Sequence, residues 1–286
     1  MLRPQFTNQA LSSFVLWADN KICSNGGYTN YSGQFYPMPS SFSNYHCYGA
    51  ADNQIIADSS ISGAIVMTGI YLNNTPISTG QSGFIGIDYK HGMTYFSNSV
   101  NNHFVSGNFS IKDFNIVLTD EQDDIILFKN KYSLRPKFNQ RVTGVSDVDV
   151  TYPVIFVKSD GTDNKPYSFG GTEETYLYIK CIVLTDSLYT LHAVENIFRD
   201  SVRTQIALFD AADMPFDSRG AIKNNNYNYT GIAYNKIDQQ KFMFIQDVSV
   251  PKFNQKLLTN NKMFNYDVFF NMIDFTVSTV RMPRQY

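Results

Sequence analysis

Short apolar runs cut by Gly, Asn and Pro decide what this chain can fold into. From Gln54 the runs come in quick succession, and none approaches the ~20 residues of a membrane span. Ala64 to Leu72 (AIVMTGIYL) stops at Asn73-Asn74. Phe84 to Tyr89 and Met93 to Phe96 flank Lys90-His91-Gly92, where glycine permits a positive φ. Phe104 to Ile111, Phe114 to Leu118 and Ile125 to Phe128 follow. Successive short strands joined by Gly/Asn turns predict an antiparallel, sandwich-like sheet structure.

The segment before these strands differs. Leu11, Phe14, Val15, Ala18 and Ile22 recur at helical spacing, and Asn25-Gly26-Gly27 supplies the stop. Tyr28 to Asn53 is too long and irregular for an ordinary connection. Its aromatics (Tyr28, Tyr31, Phe35, Tyr36, Phe42, Tyr45 and Tyr48) argue against disorder. It reads as an ordered arm or loop packed against another surface, with Tyr28 to Tyr48 expected to be buried mainly by other subunits.

Beyond it the charges change sign. Asp120, Glu121, Asp123 and Asp124 precede Lys129, Lys131, Arg135, Lys137 and Arg141, with Pro136 and Gly144 breaking any element. The reading is a boundary between Asn130 and Val150, its charges either solvated or paired with a neighbouring copy. In the second half Pro153 to Lys158 reads as a strand, Ser159-Asp160-Gly161 and Ser168 to Gly171 as turns, and Thr175 to Thr185 as an alternating strand. Asp186 or Ser187 caps a helix from Leu188 to about Arg203, with Leu188, Leu191, Val194, Phe198 and Val202 on one stripe and Glu195 placed to pair with Arg199. Gln205 to Phe209, Thr230 to Ile237, Phe242 to Val250 and Phe264 to Val280 read as strands. Arg281 to Tyr286 has Arg281 and Arg284 but no acid. It is expected to anchor on an acidic neighbour, such as Asp120 to Asp124 of an adjacent copy. The expected fold is α+β and β-rich. Residues 1–145 hold an N-terminal helix, the aromatic loop and an antiparallel β-sandwich-like half. Residues 146–286 hold an α/β half with a mixed or antiparallel sheet and one main helix at about 188–203.

Composition bears on function. Charged residues are 17% of the chain against roughly 25% in an average soluble domain. The chain holds 19 Tyr and 23 Phe, which suits both strands and interface cores. A net charge of -2 argues against nucleic-acid wrapping, which needs many cations. The opening MLRPQFTNQA has no apolar stretch and is not read as a secretion signal.

Chemistry-bearing residues are scattered. His46, His91, His103 and His192 are isolated, with no H-x-x-x-H spacing. Cys23, Cys47 and Cys181 form no C-x-x-C pair and read as reduced core residues. Gly80-Gln81-Ser82-Gly83 lacks the spacing of a nucleophile elbow, and Cys47 beside His46 points to the opposite face of a strand. Gly170-Gly171 is followed by Glu173 and Glu174, which would repel phosphate. Asp147/Asp149, Asp123/Asp124 and Asp210/Asp213 are the carboxylate pairs, without an EF-hand pattern. No catalytic residue, metal or cofactor is expected.

Val66 to Phe96 (VMTGIYLNNTPISTGQSGFIGIDYKHGMTYF), with its I-D-Y-x-x-G-x-x-Y-F hairpin, and Phe109 to Thr119 (FSIKDFNIVLT) resemble tailed-bacteriophage virion proteins. Thr151 to Asp200 looks like the β-β-α elements of phage neck and tail-terminator proteins. The resemblance spans about two thirds of the chain. It implies a non-enzymatic virion component, assembled in the host cytoplasm as a homo-oligomeric ring near the head-tail junction, a hexamer being one form, and touching neighbouring virion proteins. The family's function lies in surfaces, so no residue roles carry over. The alternative is a carbohydrate- or receptor-binding tail or adhesin module that uses the Tyr-rich loop as a stacking platform.

Overall fold

A computed structural model describes residues 6–38, 45–49, 54–90, 92–123, 126–127, 153–215, 226–251 and 268–281. The first element, α1 (Phe6–Ser24), ends where the glycines predict. Gly26 has φ +89°, its N–H donates to Cys23 O, and the Gly27 N–H donates to Ile22 O. This is a Schellman cap, which satisfies two orphan carbonyls.

Seven strands form one antiparallel sheet: β1 (Tyr28–Pro37), β2 (His46–Gly49), β3 (Ile70–Leu72), β4 (Thr75–Ile77), β5 (Phe84–Asp88), β6 (Met93–Phe96) and β7 (Val105–Lys112). Their order is β4-β3-β7-β1-β2-β6-β5. Six strands form a second sheet: β8 (Asn115–Leu118), β9 (Val154–Ser168), β10 (Thr172–Thr185), β11 (Gln205–Ala207), β12 (Phe242–Ser249) and β13 (Phe269–Arg281). Their order is β11-β12-β13-β10-β9-β8. Only β8 and β9 run parallel, so this sheet is mixed. Two further helices are α2 (Leu188–Arg199) and α3 (Tyr229–Asp238). The α+β, β-rich class holds.

Each sheet has its own core. Phe35, Tyr48, Met67, Phe84, Phe96 and Phe109 fill the first. The second lies under the helices. Leu177, Ile179, Cys181 and Val183 alternate inward from β10 and meet Leu191, Val194 and Phe198 of α2. Phe14 and Trp17 of α1 join them, with Trp17 stacked on Phe198 and Phe14 edge-on to Phe275. On the opposite face Phe156, Ile182, Leu184 and Phe270 pack with Ile126.

Several sequence expectations need correction. The boundary at 130–150 lies outside the described residues, but the cores do not divide the chain in sequence order. Both α1 and β8 precede that boundary, yet they belong to the second core and second sheet. The described parts of Tyr28 to Tyr48 are built into their own chain's first sheet: β1 pairs with β7 along eight residues, and β2 pairs with β6. The expected turn at Ser159-Asp160-Gly161 is a bulge inside a continuous strand. Ser159 opposes Ile179 and Gly161 opposes Tyr178, which leaves Asp160 over. Within Ala64 to Leu72 only the last three residues are strand, and Ile126 and Leu127 are helical. Thr230 to Ile237 is helix, because the Asn228 side chain accepts the Gly231 N–H as its cap and the buried residues Tyr229, Ala233 and Lys236 recur at helical spacing. Ser187 caps α2 as expected, but the helix stops at Arg199. Glu195 instead accepts from Asn271, and Arg199 donates to Asn196.

Candidate interaction surfaces

β9 outgrows its outer neighbour, while β10 stays paired with β13 as far as Glu173 opposite Arg281. β8 covers β9 only from Val154 to Val157, and Leu177, opposite Thr162, is the last core residue of β10 on the way to the tip. From Thr162 to Ser168 every β9 residue is exposed, about 20 Å of strand at ~3.3 Å per residue. The connecting Phe169-Gly170-Gly171 turns on two glycines at φ +101° and +82°. Phe169 is wholly exposed and Tyr167 is 63% exposed.

Beyond Leu177 neither strand of this arm adds a hydrophobic core residue, yet the arm is braced: β13 runs beside β10 and Thr175 is buried. Lys165 Nζ sits 4.5 Å above the Tyr176 ring, and Thr175 Oγ1 donates to Asn164 at 2.7 Å. Arg281 Nε donates to Thr175 at 2.6 Å. Cross-strand pairs of this kind contribute roughly 0.2–1 kcal/mol each. The free edge of the arm is blunted as well. Asn115 N donates to Pro153 O and Thr119 N to Val157 O, so the odd residues at the start of β9 face away from β10. The extra Asp160 reverses that parity, and Thr162, Asn164 and Pro166 face outward beyond it. Pro166 has no N–H to offer there, which discourages strand-to-strand association.

The residues expected at an interface fare differently. Tyr31, Tyr36 and Tyr45 are exposed, and Tyr28 is half-buried with its hydroxyl donating to Ser62 O. Phe35 and Tyr48 are withdrawn into the first core, Tyr48 donating to Asn101 and accepting from Val100 N. These two aromatics cannot face a partner. Asp120 stays on the surface, but Asp123 is taken up by Lys158 and Lys180. Burial of Asp123 opposes its ionisation. The Lys158 hydrogen bond and the Lys180 charge outweigh that and hold its carboxyl below the usual range. Arg281 is the last residue of β13, bonded to Thr175 and stacked 4.4 Å over Phe6, so it serves its own chain. Phe42, Lys129, Lys131, Arg135, Lys137 and Arg284 lie outside the described residues.

A surface that strand reading missed lies on the outer face of the seven-stranded sheet. Gln34 opposes Ser106, which opposes Tyr71, which opposes Pro76. One step along, Tyr36 and Phe104 fall on the same face, because Phe35 and Val105 point into the core. Tyr36, Phe104 and Tyr71 are 58%, 45% and 37% exposed. The signal was present as an absence. Ile22 to Ala51, Ser59 to Ile87 and His91 to Ile111 contain no Asp, Glu, Lys or Arg.

The chemistry-bearing groups stay apart or serve the fold. Cys23, Cys47 and Cys181 are buried, and burial pushes the Cys23 and Cys181 thiols up, away from the reactive thiolate. His46 is exposed while Cys47 is buried, so the two face opposite ways. His103 Nδ1 meets Asn73 Nδ2 at 2.7 Å, and His192 is exposed. His91, Asp147 and Asp149 lie outside the described residues. Asp210 and Asp213 share Lys236, and Asp210 also takes Lys241. Asp58, which the sequence did not single out, is buried and accepts from Asn20, Ser60 and Tyr229. Among the described residues no three His, Cys, Asp or Glu side chains could hold a metal ion, and no helix is long and apolar enough to cross a membrane. Comparison with protein-family models and with curated proteins finds no match.

Proposed function

We propose that this chain is a non-enzymatic structural component of a tailed-phage particle, a ring-forming neck or tail protein that docks through its β9–β10 arm. The observation that carries the reading is Phe169, wholly exposed at the tip of a braced hairpin. Holding a large ring in water on a stiff support has no use within one chain. It suits an anchor that enters a neighbour, since rigid aromatics at interface centres carry much of the binding energy. A tip on one surface and a socket on another make a head-to-tail contact, which closes into a ring when the rotation allows. Small net charge keeps the repulsion between copies low.

The test is sedimentation velocity and negative-stain microscopy of the full chain, wild type and with Tyr167→Asp plus Phe169→Asp. The wild type is expected to form rings, and the double variant to remain monomeric with an unchanged circular-dichroism melt. Rings that survive the double variant would remove the arm from the reading. A wild type that stays monomeric and is absent from purified tailed particles would remove the reading itself.

A further inference from the structure

We propose that the outer face of the seven-stranded sheet, at Tyr36, Phe104 and Tyr71, binds a neutral oligosaccharide. The inference stands on that face and does not depend on the assembly reading. The three rings sit on the adjacent strands β1, β7 and β3, with Tyr36 at the end of β1 and Phe104 just before β7 begins. Adjacent strands lie about 4.8 Å apart, so the rings span roughly 10 Å across the sheet. That is the scale of a short run of linked pyranose units, whose C–H faces stack on aromatic rings. Pro76 extends the apolar strip beyond Tyr71 on β4.

The groups between and beside the rings complete the match. Gln34 and Ser106 lie between them, and Ser32 and Asn108 continue the same face one step further along β1 and β7. Ser32 Oγ donates to Asn108 Oδ1 at 2.6 Å, which fixes that amide and leaves its nitrogen to donate outward. Amides and hydroxyls set among rings are what sugar hydroxyls need. The four strands of the patch carry no Asp, Glu, Lys or Arg until Lys112, which is committed to Asp19 at 2.6 Å. An anionic glycan would meet no countercharge here, and an uncompensated charge is costly to desolvate. The ligand is therefore neutral.

A second copy of the chain fits this face less well. The three rings at their observed exposures offer about 300 Å² if a full aromatic side chain covers roughly 150–250 Å². A stable protein interface needs about 800 Å² from each partner. Patches of a few hundred Å² are the size at which functional ligand surfaces stand out.

The experiment titrates the full chain with neutral hexasaccharides of glucose, mannose, galactose and N-acetylglucosamine. Saturation-transfer NMR and calorimetry read binding at low and at high NaCl. At least one is expected to bind, with an affinity insensitive to salt. Tyr36→Ala and Tyr71→Ala should each weaken it about tenfold, the loss of one stacked ring, while Tyr36→Phe retains it. Phe169→Asp, on the hairpin of the other sheet, should leave binding unchanged even if it abolishes rings. The proposal is overturned if no sugar binds, or if the alanine variants bind like wild type. It is equally overturned if those variants change the sedimentation of the sugar-free chain, which would make the face a contact between copies.

Discussion

Asp58 and Tyr229 are 171 positions apart in sequence, and the carboxylate of the first accepts the backbone N–H of the second at 3.0 Å. The same side chain accepts from Asn20 of α1 and from the backbone and hydroxyl of Ser60. A fully buried carboxylate with these donors ties α1, the segment that enters the first core, and the start of α3 to one point. Asp58→Ala leaves the buried Tyr229 N–H unpaired and takes a shared acceptor from Asn20 and Ser60, so it should cost about 3 kcal/mol. The check is a shift of the urea midpoint at constant slope. A loss under about 1 kcal/mol would mean that water replaces the carboxylate.

Phe198 is fully buried against Trp17 and Phe275. Phe198→Ala should cost about 3–5 kcal/mol. Trp17 is the single tryptophan, so its emission reports on this cluster. A red shift in the folded variant is expected, and a loss below about 1 kcal/mol would show that the stripe of α2 contributes little to the core.

Acid should weaken the fold. Hydrogen bonds from Lys236 and then Lys241 hold the Asp210 carboxyl below its usual range, and Asp123 is depressed by Lys158 and Lys180 against the effect of burial. With folded values below the unfolded ~3.9, the unfolded chain takes up protons first. The stabilisation is complete above about pH 4 and is lost as pH falls through the folded values. Asp274, pushed up by burial, works with the opposite sign and loses its contribution as pH rises. Denaturant midpoints against pH should fall below about pH 4, and the fall should be shallower in Asp210→Asn. An unchanged slope in that variant would refute the assignment.

Pro166→Val restores an N–H at an outward position of β9. Thermal stability should hardly change, because the arm is exposed. Concentration-dependent scattering and thioflavin binding should rise, since an unguarded edge templates pairing. Equal solubility of the two proteins would show that the proline does not guard the edge.

Local signals were legible where the chain makes its own decisions. Asn25-Gly26-Gly27 stops α1 through bonds within one turn, and the β5–β6 hairpin and the alternation of β10 follow from their own residues. What escaped is set by distant partners. Thr230 to Ile237 has strand-like Tyr, Ile and Thr, but its helix starts on Asp58 and buries Lys236 only because Asp210 and Asp213 neutralise it. Tyr28 to Pro37 lies in a Tyr-, Ser-, Gly- and Pro-rich stretch that reads as irregular, yet it is strand and its Gly33 has a place in the sheet. That glycine opposes Gly107, where an added Cβ would lie 2.8 Å from the Phe35 ring. The aromatic face needed the register of three strands, which no single stretch encodes.

β7 ends at Lys112 in one sheet, and β8 begins at Asn115 in the other. Those two linking residues leave no place to separate a working half. A fragment of residues 146–286 would lack α1 and β8, exposing the Phe198–Phe275 pair and the β9 edge that β8 covers. Its complement would carry Phe14 and Trp17 with nothing to cover them. Expressed apart, both pieces should aggregate. Co-expressed, they should assemble as a split protein, with β8 pairing to β9 as the step that registers one fragment on the other.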